Sequence, residues 1–216
     1  MVSPTPNRTT QRVYRLLAPA YDVLSLEQLL YRTGRTAGVN ALHLREGQHV
    51  LDIGCGTGLT MPVLSQAIGP TGHIIGVDSN PSMLRKAAQR TITADRTLIE
   101  ADAQDLDRET LNEHRVNEPI EAAIFAYTLS LMPDSATAWQ SVTRLLVPGA
   151  RVAIVDVAPP TRGGPPARAA AWAFTRIGRS DIDAHPWQDL QQSCTNIEHY
   201  VFKGGHVEAW AGNLPT

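Results

Sequence analysis

Cysteines, long apolar runs and a leader-like opening segment are what this sequence lacks. Its 216 residues contain only two cysteines, Cys55 and Cys194, which are too few for a disulfide framework. No stretch reaches the roughly 18 apolar residues that a transmembrane helix needs. The opening residues also lack the charged-then-apolar pattern of a secretory leader. We therefore expect a protein without membrane-spanning helices that works in the reducing cytoplasm.

An excess of positive charge is also missing, because the formal net charge is −2. That balance argues against a dedicated nucleic-acid-binding protein, and we expect no nucleic-acid partner. Arginines nevertheless concentrate in residues 1–45, which hold six, and in residues 158–179, which hold four and no acidic residue. These two segments form either ordinary solvated faces or a functional basic rim, and the sequence leaves both interpretations open.

Short apolar runs alternate with helical patterns through the middle of the chain, and 43% of all residues are hydrophobic. Because β–α alternation places strands side by side in one direction, it predicts a parallel sheet with helices on both faces. Asn80 is suited to cap the helix that follows it. The predicted strands are 49–54, 73–78, 97–102, 120–127 and 150–157, and the predicted helices are 59–69, 80–90, 105–114 and 134–146.

The two ends of the chain follow other patterns. Residues 8–42 carry leucines at helical spacing, interrupted at Gly34, and we predict an N-terminal helical lid over residues 1–45. Near the C-terminus, a Gly-Gly pair at 204–205 separates two strand-like runs and predicts a hairpin of antiparallel neighbours. Residues 46–216 are predicted to form the main α/β domain.

The stretch LDIGCGTGLT contains three glycines within five positions, directly after the first predicted strand. Gly54, Gly56 and Gly58 permit positive φ angles and remove every Cβ from the loop. A ligand can then lie against the backbone, while the N–H groups that begin the next helix favour a negative group. A tight turn with close helix packing is the structural alternative. The G-x-G-x-G spacing departs from the G-x-G-x-x-G of dinucleotide-binding loops.

Acidic residues stand at or near three predicted strand ends. Asp78 ends the second strand, where a carboxylate can accept both hydroxyls of a ribose. Asp102 ends the third, where a polar group can reach an adenine. Asp52 lies inside the first strand and needs a partner there, either the loop amides or a ligand ammonium. An acid so close to the glycines would repel a pyrophosphate but favour a cationic amino acid.

Five segments in order resemble the motif set of class I S-adenosylmethionine-dependent methyltransferases: VLDIGCGTGLT, IIGVDSNPSML, LIEADAQDL, AAIFAYTLSLMPD and LLVPGARVAIVDV. The resemblance implies an α/β, Rossmann-like fold, with a seven-stranded, mostly parallel sheet, helices on both faces and an antiparallel C-terminal hairpin. It also implies S-adenosylmethionine as the cofactor and S-adenosylhomocysteine as the product. The lead-in YRLLAPAYDVL resembles the branch that holds ubiquinone and menaquinone C-methyltransferases and bacterial phospholipid N-methyltransferases.

The resemblance implies cofactor contacts at each strand end. Those expected beside the methionine part, with Asp52 orienting its ammonium group, are Asp52, Gly54, Cys55, Gly56 and Gly58. Those expected beside the ribose are Asp78, Ser79, Asn80 and Met83. Those expected around the adenine are Asp102, Ala103 and Gln104. Under the sulfonium would lie Tyr127 and Leu131, and Tyr21 would reach the carboxylate from the N-terminal lid.

Two departures from the family's patterns bear on the acceptor. Leu129 and Ser130 stand where the family often has two histidines after the fourth strand, which removes one familiar source of a base. The Asn-Pro-Pro-Tyr that is typical of methylation on nucleobase amines or glutamine is missing as well, which disfavours nucleobase methylation.

Methyl transfer from a sulfonium depends mainly on positioning, and a base is needed only when the acceptor carries a proton at the point of attack. Tyr14 and His185 are the candidate catalytic residues, with a core tyrosine and a helix-start histidine as the structural alternatives. His49, His73 and His206 lie on or beside strands and are predicted to be structural. No His/Cys/Asp cluster has metal-ligand spacing, so we expect no metal.

Residues 166–179, PARAAAWAFTRIGR, interleave arginines with aromatic residues. Such a helix either packs its aromatics on the sheet edge or lies in a lipid interface, which would give peripheral membrane contact. The predicted function is methyl transfer to a small or amphiphilic acceptor: a quinone, a phenol or a phospholipid head group. The alternatives are an aminocarboxypropyl transferase with the same cofactor, a nicotinamide-dependent oxidoreductase and a cofactor-binding module without catalysis.

Overall fold

The computed structural model describes residues 31–161 and 185–216. Most of the predicted N-terminal helices, which fall in residues 1–30, lie outside the described residues. The arginine-rich and aromatic segment 166–179 also lies outside them. The predictions that concern these two segments therefore stay predictions.

Seven strands form a single sheet in the described chain. They are β1 (His49–Ile53), β2 (His73–Asp78), β3 (Asp95–Glu100), β4 (Ala122–Ala126), β5 (Arg151–Val157), β6 (Thr195–Phe202) and β7 (Val207–Asn213). Their order across the sheet is β3-β2-β1-β4-β5-β7-β6. The first five pair in parallel, whereas β7 runs antiparallel to both β5 and β6. The predicted α/β fold with its antiparallel C-terminal hairpin is confirmed.

The described residues also contain six α-helices: α1 (Arg32–Ala41), α2 (Met61–Ile68), α3 (Pro81–Ala87), α4 (Arg108–Glu113), α5 (Ser135–Thr143) and α6 (Gln188–Ser193). The side chain of Asn80 accepts a hydrogen bond from the backbone N–H of Ser82, so its predicted capping role is confirmed. Asp107 and Asp134 cap α4 and α5 in the same way. Not one of these helices has the length and apolar character needed to span a bilayer.

Helices cover both faces of the sheet because side chains alternate along each strand. Val50 of β1 and Val39 of α1 belong to the buried cluster on one face, which α2 also joins. Leu51 and Phe125 belong to the cluster on the other face, where Trp139 of α5 packs on them. Burial of each such side chain contributes about 1.5–3 kcal/mol relative to exposure. The core therefore fixes the strands, and with them the loops that leave their carboxyl ends.

Two local predictions are wrong. β3 spans Asp95–Glu100 rather than 97–102, so Asp102 lies two residues beyond the strand end. Gly34 does not interrupt the chain's helical pattern but lies buried within α1. A Cβ at Gly34 would collide with the Tyr127 hydroxyl and with Val207. The glycine is there because α1 approaches the sheet closely, not because the helix ends.

The sheet has its topological switch point at β1, which lies between β2 and β4. The chain proceeds from β1 toward β3 on one side and returns to β4 on the other. In open α/β sheets, ligands bind in the crevice beyond the carboxyl ends of the strands at such a point. The loops after β1, β2 and β4 meet at this crevice, and they contain most of the residues that the sequence predicts for the site.

Candidate functional site

The loop after β1 carries the three predicted glycines, all with left-handed backbone: φ is 61° at Gly54, 55° at Gly56 and 75° at Gly58. A Cβ at Gly54 would collide with Thr128, and one at Gly58 would lie 3.1 Å from Ala87. A Cβ at Gly56 would instead meet only the carbonyl oxygen of Gly54 within the described structure, 4.0 Å away. Packing therefore explains Gly54 and Gly58, whereas Gly56 faces space in which a ligand can approach the main chain.

The carboxylate of Asp78 fastens this glycine loop to the end of β2. Its Oδ2 accepts a backbone hydrogen bond of 2.8 Å from Gly56, and its Oδ1 accepts another of 2.8 Å from Asn80. Burial raises the pKa of Asp78 above its usual value, although these two hydrogen bonds act to lower it. Each carboxylate oxygen has a further lone pair. Asp78 can thus hold the loop in place and still accept the hydroxyl groups of a ribose.

Asp52 is a deeply buried acid whose hydrogen-bonding capacity is unused. Its side chain is 1% exposed, and neither of its carboxylate oxygens accepts a hydrogen bond from any residue that the structure describes. Burial raises the pKa of Asp52 to about 7, the Arg35 charge lowers it and the Asp78 charge raises it. Of the two partners suggested by the sequence, the loop amides are therefore not bonded to it. A buried unsatisfied acceptor costs about 1–3 kcal/mol, which an ammonium ligand would offset.

Arg35 of α1 is a site residue that the sequence did not reveal. It is 8% exposed, and its charge acts on Asp52. Its guanidinium carbon lies 5.3 Å from the centre of the Tyr127 ring. The one available signal was the pair Gly34 and Gly38, four residues apart on the same helix face. Two small residues at that spacing let α1 lie close to the sheet, and Arg35 is carried there with them.

Tyr127 directly follows β4 at the carboxyl edge of the sheet. Its backbone is left-handed, with φ 58°, and its N–H donates to the Val155 carbonyl at 2.7 Å. Its hydroxyl donates to the Tyr31 carbonyl at 2.9 Å, and the two tyrosine rings lie 4.8 Å apart. The ring is therefore held between α1 and the end of β4. Its predicted place under the sulfonium stays a prediction that this position supports.

The three residues predicted around an adenine follow β3 at the same edge of the sheet. Asp102 is exposed and Ala103 is buried. Gln104 turns back on Asp102, because its backbone N–H and its Nε2 donate to Asp102 Oδ1 at 2.9 and 3.1 Å. Along the carboxyl edge of the sheet, the glycine loop after β1 comes first, Asp78 at the end of β2 is next, and these residues after β3 follow. An adenine bound there would be adjacent to a ribose at Asp78.

The remaining predicted cofactor residues divide into buried and exposed pairs. Cys55 and Met83 are 7% and 6% exposed, and burial raises the pKa of the Cys55 thiol well above its usual value. Cys55 is therefore a small core side chain rather than a nucleophile. Ser79 and Leu131 are exposed at the crevice edge.

A buried serine–aspartate pair takes the place of the histidines that are common after the fourth strand. Ser130 donates to Asp156 through its backbone N–H at 3.0 Å and through its Oγ at 2.7 Å. Burial raises the pKa of Asp156 to about 6, while the hydrogen bonds from Ser130 and Val157 lower it. The pair fixes the 3₁₀ turn Leu129–Leu131 against β5. This function of Ser130 was not visible in the sequence, because Asp156 lies 26 positions away.

The two predicted catalytic residues are not tested by these contacts. His185 is exposed, its ring lies edge-on to Trp187 at 5.7 Å, and its carbonyl accepts from Gln188 N–H at the start of α6. It thus occupies the helix-start position of the structural alternative, and contact with an acceptor stays a prediction. Tyr14 lies outside the described residues. Tyr21, predicted at the cofactor carboxylate, also lies outside them.

Comparison with known proteins decides the family. A family described as a methyltransferase domain matches residues 44–210 of the chain. The chain belongs to this family. A demethylmenaquinone methyltransferase from Staphylococcus aureus is 28% identical over 155 residues, which cover 69% of this chain and 61% of that relative. The alignment therefore spans less than two thirds of the relative's length.

Solved structures with low sequence identity share the fold of this methyltransferase. An S-adenosylmethionine-dependent methyltransferase from Aquifex aeolicus has a TM-score of 0.61 at 17% identity, covering 91% of this chain and 97% of that one. The N-methyltransferase NodS from Bradyrhizobium japonicum has a TM-score of 0.58 at 14% identity, covering 86% and 97%. The family match confirms the predicted methyltransferase family, and the shared fold confirms the predicted Rossmann-like architecture. S-adenosylmethionine is the cofactor that the resemblance implies.

The residues at the crevice fit this cofactor on physical grounds. Asp52 offers a buried carboxylate with both oxygens available to an ammonium group. Gly56 leaves open space against the main chain, and Asp78 stands beside it as a hydrogen-bond acceptor. These three features suit a cationic amino acid joined to a ribose. A pyrophosphate, by contrast, would meet the negative charge of Asp52.

Proposed function

We propose that this methyltransferase transfers the methyl group of S-adenosylmethionine to a hydroxylated aromatic ring. The proposed binding of the cofactor rests on Asp52, a buried carboxylate to which no described residue donates a hydrogen bond. When bound, the cofactor supplies an activated methyl group on a sulfonium whose leaving group is a neutral thioether. What the chain must supply is the orientation of both partners and the exclusion of water.

Three side chains are proposed to hold the cofactor. Two bind the ammonium and carboxylate groups of its amino-acid part, and the third binds its ribose. Asp52 would accept hydrogen bonds from the ammonium group, which would satisfy its buried oxygens. Arg35, whose charge already acts on Asp52, would attract the carboxylate of the same amino acid. Asp78 would accept the ribose hydroxyls while it keeps its bond to Gly56. The predicted roles of Asp102, Ala103 and Gln104 toward the adenine complete this proposal.

The acceptor side of the proposal rests on aromatic side chains that pack against the end of β5 and the start of β7. Tyr31, Tyr127 and Phe202 pack around the buried Val155 and Val207. A surface of this kind suits a flat ring, which packs on aromatic faces at 4.5–7 Å, about the spacing of the two tyrosines themselves. The menaquinone-directed relative named above is consistent with a quinol ring. We therefore favour a quinol or phenol over a phospholipid head group.

A single screen tests the proposal. The protein is incubated with methyl-labelled S-adenosylmethionine and, separately, with a short-chain demethylmenaquinol, catechol and phosphatidylethanolamine vesicles. Label in the quinol or catechol supports the proposal, and label in phosphatidylethanolamine alone would contradict its acceptor. The mass of the product separates the two transferase chemistries, because methyl transfer and aminocarboxypropyl transfer add different groups. Asp52→Asn is the matched inactive control.

Contact with a membrane is a separate part of the function proposal. It concerns residues 166–179, which lie outside the described residues. Co-sedimentation with vesicles that contain anionic lipid, at low salt, is the direct assay. If the protein stays in the supernatant under those conditions, peripheral membrane contact is excluded as part of its function.

A further inference from the structure

His206 lies where β5 ends and β7 begins, at the carboxyl edge of the sheet. The backbone N–H of Ala158 donates to the His206 carbonyl at 2.9 Å, and the N–H of Thr161 donates to the Gly204 carbonyl at 2.9 Å. Gly205 has φ 95°, and a Cβ there would lie 2.5 Å from Thr161 Oγ1. The hairpin turn is therefore fastened to the loop after β5, and the backbone of His206 has a fixed position.

The side chain of His206 is fixed as well, and in one tautomer. Its Nδ1 lies 3.0 Å from the Ala158 carbonyl oxygen. A carbonyl oxygen only accepts hydrogen bonds, so Nδ1 must carry the proton. In the neutral ring this leaves Nε2 as an unprotonated nitrogen with its lone pair. Within residues 31–161 and 185–216, no group donates a hydrogen bond to that nitrogen. His206 is partly exposed, so a ligand can reach it.

The surroundings of His206 connect it to the site proposed above. Its ring centre lies 6.4 Å from that of Tyr31, and Tyr31 in turn lies 4.8 Å from Tyr127. β5 separates β4 from β7, so the two outer strands are about 10 Å apart at the usual strand spacing. An acceptor ring placed above the end of β5 would therefore lie between the ends of these two strands. The backbone N–H of His206 donates to the Lys203 carbonyl at 3.3 Å, and the guanidinium carbon of Arg35 lies 5.3 Å from the centre of the Tyr127 ring.

Among the other histidines of the described residues, His114 also has its Nδ1 on a carbonyl oxygen, that of Thr110, at 2.9 Å. It lies at the end of α4, which leads to the start of β4 and so to the opposite edge of the sheet. His49 and His73 begin β1 and β2, which places them at the opposite edge of the sheet. Nε2 of His199 donates to Glu208 Oε2 at 2.8 Å, and its ring stacks on Trp210 with 3.6 Å between centres. Its Nε2 is thus engaged, and it provides a matched control.

We propose that His206 is the general base of this methyltransferase and that its acceptors carry a hydroxyl group on an aromatic ring. The inference rests on the proposed function and names the residue that makes such an acceptor nucleophilic. The sequence predicts a structural role for His206, and the proposal adds a catalytic one. It also gives the chain a base in place of the histidines that are missing after β4.

Methylation of a hydroxylated ring begins with removal of its hydroxyl proton. Nε2 of His206 takes the hydroxyl proton, and the electron pair left on oxygen is shared with the ring. The acceptor's oxygen or ring carbon forms the new bond to methyl while the carbon–sulfur bond breaks and its electron pair stays on sulfur. After attack at carbon, the displaced ring proton leaves and the hydroxyl is restored. One proton is released in total, and no oxidant or reductant is required.

The first test uses a probe rather than turnover. The complex of the protein with S-adenosylhomocysteine is titrated with 4-nitrophenol, whose ionised form is yellow. Wild type and His199→Gln should bind the probe with an enhanced phenolate band. His206→Asn, which retains a donor for the Ala158 carbonyl, and His206→Gln, which places an amide near the Nε2 position, should both lose the enhancement. No enhancement in wild type, or an equal band in His206→Gln, would overturn the proposal.

The second test measures catalysis with short-chain demethylmenaquinol. His206→Asn and His206→Gln should lower kcat by about 100-fold or more, the range of general-base contributions, while the Kd for S-adenosylhomocysteine changes less than about twofold. Full activity in His206→Gln would show that a neutral hydrogen bond suffices for catalysis. That result would overturn the assignment of His206 as the general base. If wild type fails to bind S-adenosylhomocysteine, the proposed function fails. If it binds the cofactor product and enhances the phenolate, but leaves the quinol unmethylated, only the quinol is the wrong acceptor.

Discussion

Arg35 lies close enough to Asp52 for its charge to lower the pKa of that carboxyl group, yet the carboxylate oxygens of Asp52 accept no hydrogen bond from any described residue. The pair joins α1 to the end of β1 at the point where the sheet order reverses. Burial outweighs the attraction, since the pKa of Asp52 still rises to about 7. A buried acid without a hydrogen-bond partner destabilises the folded protein, but it offers a binding partner to a ligand's ammonium group.

Asp52 should destabilise the ligand-free protein at neutral and higher pH. Its folded pKa of about 7 lies above the usual value of 3.8, so the folded state binds more protons than the unfolded state between those values. Stability therefore falls as pH rises from about 4 to 7. A difference of about 3 pKa units corresponds to roughly 4 kcal/mol. We expect Asp52→Asn to raise the free energy of unfolding at pH 8 by a few kcal/mol and to change it little at pH 4.

Urea unfolding of wild type and Asp52→Asn at both pH values measures this effect. Asp105→Asn, at an exposed position, is the control and should leave stability unchanged at both. A variant less stable than wild type at pH 8 would show that the acid is paired within the protein and not reserved for a ligand.

Binding of S-adenosylhomocysteine should depend on pH through the same group. Asp52 must be ionised to pair with the ammonium, and its pKa in the ligand-free protein is about 7. The affinity should therefore fall about tenfold per unit as pH drops below 7. Calorimetry in two buffers of different ionisation enthalpy should detect proton release near pH 6.5. Asp52→Asn should bind weakly with no such release, and an unchanged wild-type affinity between pH 6 and 8 would refute the role of Asp52.

Loss of Asp78 should weaken the same ligand by a second route. Asp78→Ala removes the proposed ribose acceptor and also frees the Gly56 and Asn80 amides that it holds. We expect a loss of about 1–3 kcal/mol in binding, the usual cost of leaving buried hydrogen-bonding groups unpaired. Equilibrium titration against Glu113→Ala, at an exposed acid at the end of α4, provides the comparison. Equal affinities in the two variants would remove Asp78 from the site.

Gly38→Ala reverses the usual effect of a glycine in a helix. Replacing glycine by alanine within a helix normally stabilises it by about 1 kcal/mol. Here a Cβ would collide with Val155 and lie 3.4 Å from Ile124, so we expect a net loss of about 1–3 kcal/mol from overpacking. Thermal unfolding measures it, with Asn40→Ala on the exposed side of α1 as the control. A stabilised Gly38→Ala would mean that α1 lies further from the sheet.

Patterns carried by neighbouring residues predicted much of this fold. Apolar runs located the first five strands, and the Gly-Gly pair located the C-terminal hairpin. The error at β3 has a local cause, since Asp95 and Arg96 are polar residues on a strand that only β2 flanks. Because these two residues are polar, the sequence pattern did not mark them as the start of the strand. The run LIE led to a predicted strand that ended two residues too late.

Features that depend on distant contacts escaped prediction. Arg35 is an ordinary helix arginine until α1 is placed on the sheet, and Gly34 resembles a helix break for the same reason. His206 and Ser130 each obtain their chemistry from a partner on or just after β5, at Ala158 and Asp156. Spacing along one sequence does not show which strands become neighbours, so these pairings need the fold.

The central claim is that the crevice beside Gly56 and Asp52 binds an amino-acid-bearing sulfur nucleoside. Isothermal titration of the wild-type protein with S-adenosylhomocysteine, and separately with NADH, tests it most directly. The account predicts saturable binding of S-adenosylhomocysteine at one site, lost in Asp52→Asn, and no binding of NADH. Binding of NADH with no response to S-adenosylhomocysteine would contradict it.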